Sequence, residues 1–528
     1  MSIYSVRQLS QIRTPDDAPL FVVRRDLSGG VNSRQNGSLI GETQATALYN
    51  ADIGTGGESS KRPGSVLIGN DVGNDSIIGL HNFIIQGATD QLLAYEDTTL
   101  WNWLGSGNWT SLKADFTTST EVGIISAKES GLAPDDIAII QNGVNNAFRL
   151  DAAGNFQDLG STSGTGSDSP PKSTVMCWYG NIVWVLLNDL LYFSDAYSAD
   201  YSTAFDTVSN SFRLPVGAER GLVATRDTGI VVMGDQAIWG LAPSSTPSAT
   251  DKPEPLITNH GVVSKKGWCQ AGDDIYYFAQ DGFRALKRTI QDKLQGDERP
   301  ISYNLKDEFE RISWAYIERL SMKYFDNKIF ISVPTGASTF DTWVYYTATK
   351  AFMIIQGWSP RCFETYKIDG EEGLYYGKQG NGVVYQAWTG YTDEGTTSTN
   401  GTAINFQEEG RKEDLDQPLV KKSGGEVGVK AKSSGNFDLE VWASFDDAPY
   451  TLLGTMNLLG SFISFPTNFP LIFTDATIIR EKFHLDSYGS WNTCRIKIVH
   501  NDTNSTNEIT IYERSIVSYP EIYETEVP

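Results

Sequence analysis

Residues 182–193, IVWVLLNDLLYF, carry the reading that decides the fold. An apolar run is followed by Asn188-Asp189 and then by a second apolar run. Asn and Asp adopt the positive-φ turn conformations that β-branched residues avoid, so the stretch predicts a β-hairpin. The same pattern recurs as LLAYEDTTLWNW from Leu92, IAIIQNGVNNAF from Ile137, IVVMGDQAIWGL from Ile230 and IYYFAQDGFRAL from Ile275. Two longer versions follow, IFISVPTGASTFDTWVYY from Ile329 and LYYGKQGNGVVYQAW from Leu374. Successive anchors lie 45, 45, 48, 45, 54 and 45 residues apart. A period near 45 is that of a four-stranded propeller blade, and a β-sandwich with similar hairpins would not need it.

The expected architecture is therefore all-β, with a β-propeller of about seven blades over residues 75–395. Six or eight blades stay compatible with the pattern, because an end blade can be completed by strands from both ends of the repeat. The one long interval holds NLKDEFERISWAYIERL, where Leu305, Phe309, Ile312 and Tyr316 recur at helical spacing. That predicts an inserted amphipathic helix near 305–320. Outward from the repeat, residues 1–74 are Gly-rich and polar, an N-terminal arm with a short helix expected in GETQATALYNA, residues 41–51. Residues 396–425, around EEGRKEDLDQP, are expected to form a polar linker. Residues 426–528 return to alternation in FDLEVWASF and CRIKIVH, which predicts a C-terminal β-sandwich or barrel.

Composition limits the function. Of 528 residues, 40% are hydrophobic and 12% aromatic, enough to build a folded core. The formal net charge is −23, which argues against gripping nucleic acid through its phosphates. An acidic surface serves solubility, or lines a passage through which a polyanion slides without sticking. Cys177, Cys269, Cys362 and Cys494 have no metal-ligand spacing and form no disulfide framework, so buried thiols are expected. The first three lie 92 and 93 residues apart, two repeat periods each. No apolar run reaches the length of a membrane span, and the N-terminus lacks the apolar centre of a signal peptide.

No catalytic or metal constellation stands out. His81, His260, His484 and His500 are scattered, and the acid pairs Asp135-Asp136 and Asp273-Asp274 precede hairpin strands, where turn residues belong. The Ser28-Gly29-Gly30 stretch lacks the Gly-Lys-Ser/Thr ending of a phosphate loop. Trp101, Trp103, Tyr192, Trp239, Tyr276 and Trp343 read first as blade core, with sugar stacking as the functional alternative. The expectation is a non-enzymatic chain without catalytic residues, cofactor or metal.

One segment carries a family resemblance. DLSGGVNSRQNGSLIGETQATALYNADIGTGGESSKRPGS, residues 26–65, resembles the opening motif of the tail nozzle proteins of short-tailed bacteriophages, also called tubular or stabilisation proteins. Its elements are Gly29, Gly30, Val31, Gln35, Asn50, Gly56, Gly57 and Lys61-Arg62-Pro63-Gly64. Ser-Arg-Gln stands where relatives often have paired glutamines. Downstream, KIFISVPTG, WVYYTATKAFMIIQGW and YYGKQGNGVVYQAWTGYTDEG look like the last blades of such proteins, and DLDQPLVKKSGGEVGV like their entry into the C-terminal sheet.

The resemblance implies a virion tail protein, made in the host cytoplasm, that assembles into a hexameric ring below the tail adaptor and portal. Genomic DNA would pass its channel without sequence-specific binding, and a fibre or plug protein is a further partner. The residues it marks for assembly contacts are Gly29, Gly30, Val31, Gln35, Lys61, Arg62 and Pro63, to which the helical segment adds Phe309 and Tyr316. The alternative is a receptor- or glycan-binding propeller adhesin, with exposed aromatics on one rim and a monomeric or trimeric state.

Overall fold

The computed structural model describes residues 18–160, 168–225, 229–245, 247–248, 251–295, 299–433, 437–458, 478–500 and 508–521. The stretch that opened the sequence reading is a hairpin: Ile182–Leu187 pairs antiparallel with Leu190–Phe193, and Leu187 lies opposite Leu190. Asn188 takes φ 55°, as a two-residue turn requires. Asp326 and Asn327 (φ 46° and 58°) close the Phe325/Lys328 hairpin in the same way.

Six sheets stand as separate blades. Four are four-stranded meanders, beginning with strands Ile77–Phe83, Gly123–Lys128, Val175–Tyr179 and Glu219–Thr225. A fifth has three strands, Trp268–Ala271, Asp274–Ala279 and Gly282–Ala285, and runs on into the helix Leu286–Gln295. The sixth, Pro360–Ile368, Glu371–Lys378 and Val384–Ala387, takes its fourth strand from the N-terminal side, Ser65–Leu67.

The hairpin from Ile329 does not form a free blade. Its meander, Ser321–Phe325 to Phe352–Ile355, opens a nine-stranded sheet, because Ile354 pairs in parallel with Tyr49. Six sheets thus stand alone as blades, a count the sequence pattern left open, and the remaining meander packs between Trp268–Ala271 and Pro360–Ile368 and continues into the neighbouring domain.

Packing between blades explains the unbroken apolar runs. In Ile182–Leu187 the first five residues are buried on both faces, because each blade is covered by two others. Val175, Trp184 and Phe193 share a core with Leu222, Ile230 and Val232 of the next blade. The ring closes on Trp103 and Trp109 of the first blade, packed with Tyr366 and Tyr375 of the last. The three spaced cysteines sit on the innermost strands, and all four cysteines are buried thiols.

The second unit is a β-sandwich built from both chain ends. One sheet joins Ile478–His484, Lys422–Ser433 and Ile509–Pro520 to the N-terminal strands Leu20–Arg24, Ala51–Ile53 and Ser59–Lys61. The facing layer is the far half of the nine-stranded sheet: Ala47–Tyr49, Phe406–Glu413, Cys494–His500, Phe437–Phe445 and Thr451–Leu458. Val427, Val429, Leu439, Val441, Ile498 and Ile511 fill the space between them. The chain thus starts in the sandwich, leaves through residues 62–67, circles the propeller and returns.

Four local expectations are corrected. Residues 20–67 are strands of both units and not a separate arm. Residues 41–51 form short strands, because Tyr49 pairs with both Ile354 and Gln407 and Asn50 turns at φ 55°, so long-range pairing overrides helix propensity. The polar linker contains the strand Phe406–Glu413, whose charges are matched by Arg495 on the adjacent strand (Glu409, 2.9 Å), by Asp447 in a turn (Lys412, 2.6 Å) and by Arg24 of the facing sheet (Glu413, 2.8 Å). The helix of 305–320 is two short pieces, Lys306–Glu310 and a 3-10 turn Trp314–Arg319, parted where Ser313 N donates to Pro334 O at 2.8 Å.

Candidate functional site

The segment singled out by its motif lies where sandwich meets propeller. Gly30-Val31 forms a two-residue parallel bridge with Gln44-Ala45, and both Gly30 and Val31 are buried. Gly30 needs its glycine twice over: φ is +65°, and a Cβ would come within 2.7 Å of the Phe352 backbone.

Arg62 is the centre of the crossing. Its side chain is 0% exposed and pairs with Asp393 through two hydrogen bonds of 2.8 and 2.6 Å. Nε donates to Asn50 Oδ1 at 2.9 Å, Nη1 to Pro63 O at 2.9 Å and Nη2 to Gln356 O at 3.3 Å. The guanidinium carbon stands 4.8 Å from the Trp358 ring centroid, and Trp358 Nε1 donates to Asp393 Oδ1 at 2.7 Å. A planar fork of five donors is the group that can tie so many acceptors together. Lys61 is buried beside it, with Nζ donating to Tyr391 O at 3.2 Å. Gly64 packs so closely that a Cβ would overlap the Thr392 carbonyl. Arg62 is thus committed within the chain, which corrects its reading as an outward contact and gives the Lys-Arg-Pro-Gly element a structural task.

Gln35, Phe309 and Tyr316 lie in a loop and a helical insertion that are fastened together. Ser33 and Arg34 donate their backbone N–H groups to Asn304 O at 3.0 and 3.1 Å, and Ser33 Oγ donates to buried Glu308 at 2.5 Å. Desolvation holds the Glu308 carboxyl above its ordinary range. These bonds fasten the Gly30–Gln35 loop to the helical insertion. Gln35 is exposed there, while Phe309 and Tyr316 are half-buried. Around them Tyr303 (37%) and Trp314 (40%) stay open to solvent. The Arg34 guanidinium sits 3.9 Å over Tyr303, Arg319 4.9 Å over Tyr316, and Phe309 meets Trp314 edge-on at 5.7 Å. Aromatic rings stacked with arginines are the composition enriched at the centres of protein interfaces.

Three of the carboxylates weighed for catalysis have structural partners. Asp135 pairs with Lys128 at 2.7 Å and accepts from Tyr197 Oη at 2.9 Å, while Asp136 accepts from Gln86 N at 2.6 Å. Asp274 accepts from Lys287 N at 3.0 Å, at the start of the helix Leu286–Gln295. His81 and His500 lie on strands of different units, His484 is exposed, and His260 lies in a loop. Among the described residues, no group of three or more His, Cys, Asp or Glu could hold a metal ion, and no helix is long and apolar enough to cross a membrane. Of the aromatics weighed for sugar stacking, Trp103, Tyr192 and Trp343 are buried and Trp101, Trp239 and Tyr276 half-buried.

No protein-family model and no curated protein sequence matches the chain. Solved structures do match as folds. BBS1N, in complex with ARL6DN, aligns over 62% of this chain and 98% of its own at 11% identity, with a TM-score of 0.37. An exo-β-1,3-galactanase from Phanerochaete chrysosporium aligns over 87% and 99% at 10% identity, with a TM-score of 0.27. A gluconolactonase from Xanthomonas campestris aligns over 65% and 98% at 10% identity, with a TM-score of 0.29. At such identities the likeness concerns the fold alone.

Proposed function

We propose that this chain is a structural virion protein, a tail nozzle subunit that forms a hexameric ring through which the genome of a short-tailed phage leaves. The observation that carries the reading is the convergence of the motif loop at Gly30–Gln35 and the helical insertion on one aromatic and arginine-rich outer face. In this reading the face receives the next subunit of the ring or the adaptor above it. The burial of the hairpin aromatics favours it over a glycan-binding adhesin, which needs such rings on an open rim. The −23 balance suits a wall that a polyanion slides past.

The passage would lie between subunits and not through the propeller. Within the propeller the Lys266 ammonium reaches across to the Ile78 carbonyl, which narrows the space between the innermost strands. Trp314→Glu tests the reading, since it places a charge in the exposed face without touching the core. The expected result is a folded chain that no longer joins tail particles. Normal incorporation of the variant would refute the assignment of this face.

A further inference from the structure

The centre of the propeller holds a half-open cavity of about 580 Å³, walled by the innermost strands of the six blades and by Ser321–Phe325. That volume is in the range of small-molecule sites, roughly 300–1,000 Å³. Its charged lining runs against the rest of the chain: Lys265, Lys266 and Lys323 face one carboxylate, Glu364, in a protein of net charge −23.

The three ammonium groups are unequally satisfied. Lys323 pairs with Glu364. Lys265 lies 3.0 Å from Thr174 Oγ1 and 3.5 Å from Glu219. Lys266 donates to a neutral carbonyl, Ile78 O; nearby Arg361 adds like charge, and Glu121 and Glu364 act as counter-charges. Arg361, 4% exposed, lies outside the cavity lining and is matched through Nη2 by Thr120 O at 2.9 Å and Glu121 at 3.4 Å. Burial lowers the Lys266 pKa. A half-buried ammonium bonded to a neutral carbonyl gains from an oxyanion placed beside it. The remaining polar wall does not compete for an anion. His81 bonds Ser126 Oγ at 2.9 Å, and burial pushes its pKa down to about 4, so the ring is neutral at physiological pH. Trp178 and Trp268 supply apolar surface for the body of a ligand.

We propose that the central cavity binds a small organic anion, its carboxylate or phosphate oxygens held by Lys266 and Lys323. The proposal is independent of the tail assignment, since it concerns the propeller alone.

Calorimetric titration of the full chain at low salt with inorganic phosphate, glucuronate and glucose tests it. Saturable one-site binding of either anion, with none of neutral glucose, is the expected result; phosphate alone identifies a phosphate ligand, glucuronate alone a carboxylate. Lys323→Met should weaken binding at least tenfold. Glu364→Gln should tighten it several-fold, because it removes the one lining carboxylate and frees Lys323. The opposite signs separate site chemistry from misfolding, which weakens both variants alike. Binding of neither anion, equal binding of glucose, or a Glu364→Gln variant that binds no better than the parent would overturn the proposal.

Discussion

Replacing Arg62 by alanine removes the one residue that ties the sandwich exit, the closing blade and the Trp358 loop together. The Asp393 side chain, 7% exposed, would be left as a buried carboxylate holding only the Trp358 indole at 2.7 Å. Truncating one partner of a buried ion pair costs about 3–5 kcal/mol, against roughly 0.2–1 kcal/mol for an exposed pair. Since the indole and the backbone of Gln356, which donates to Asn50 Oδ1 at 3.0 Å, still satisfy two acceptors, the lower end applies, about 3 kcal/mol. Urea unfolding followed by tryptophan emission reads this directly, because the guanidinium lies against the Trp358 ring. Most of the cost belongs to the stranded charge and not to the lost pair. The double variant Arg62→Met with Asp393→Leu should therefore recover more than half of it. A loss below about 1 kcal/mol for Arg62→Ala, the scale of a surface pair, would refute the latch. A double variant less stable than the single one would refute the charge argument.

Gly64→Ala should lower stability by about 1–3 kcal/mol, since its Cβ meets the Thr392 carbonyl on rigid backbone; Gly410→Ala, 3.6 Å from its nearest atom, should leave the melting temperature almost unchanged. His81 sets a pH dependence. Its pKa falls from 6.5 to about 4 on folding, so between those values the unfolded chain binds the proton and the folded one does not. That term is complete above pH 6.5, and about 3 kcal/mol of it is lost as pH falls to 4. Half-buried Asp52 and Glu394, raised by desolvation, work in the opposite direction, so the check compares the slopes of the parent and His81→Gln. The variant should lack this term; equal slopes would contradict the burial of the ring.

The propeller was legible because its turns are local. Asn188, Asp326 and Asn327 adopt positive φ within single hairpins, and the interval of about 45 residues follows from repeating one blade. The absorbed hairpin was not legible, since its fate depends on Ile354 meeting Tyr49, some three hundred residues earlier in the chain. The same long-range pairing made strands of GETQATALYNA and of the charged run around Glu409, whose local composition points to helix and linker. Leu305 and Ile312 are buried as their helical spacing requires, but a backbone bond from Ser313 to Pro334 divides the helix. Arg62 read as an outward basic spot because no local signal reveals Asp393, which the chain brings in only after circling the ring. The cavity lysines were missed for a similar reason: Lys265-Lys266 precede one strand and Lys323 lies on another, and only the packing of the ring brings them together.

Cryo-EM of the intact particle, with this chain located in the map, tests the central claim most directly. Six copies in a ring at the tail end are expected, with the face bearing Trp314 and Tyr303 covered by a neighbour and the DNA passage between subunits. A monomer or trimer displayed at the periphery, with that face open to solvent and a propeller rim engaging glycan, would contradict it.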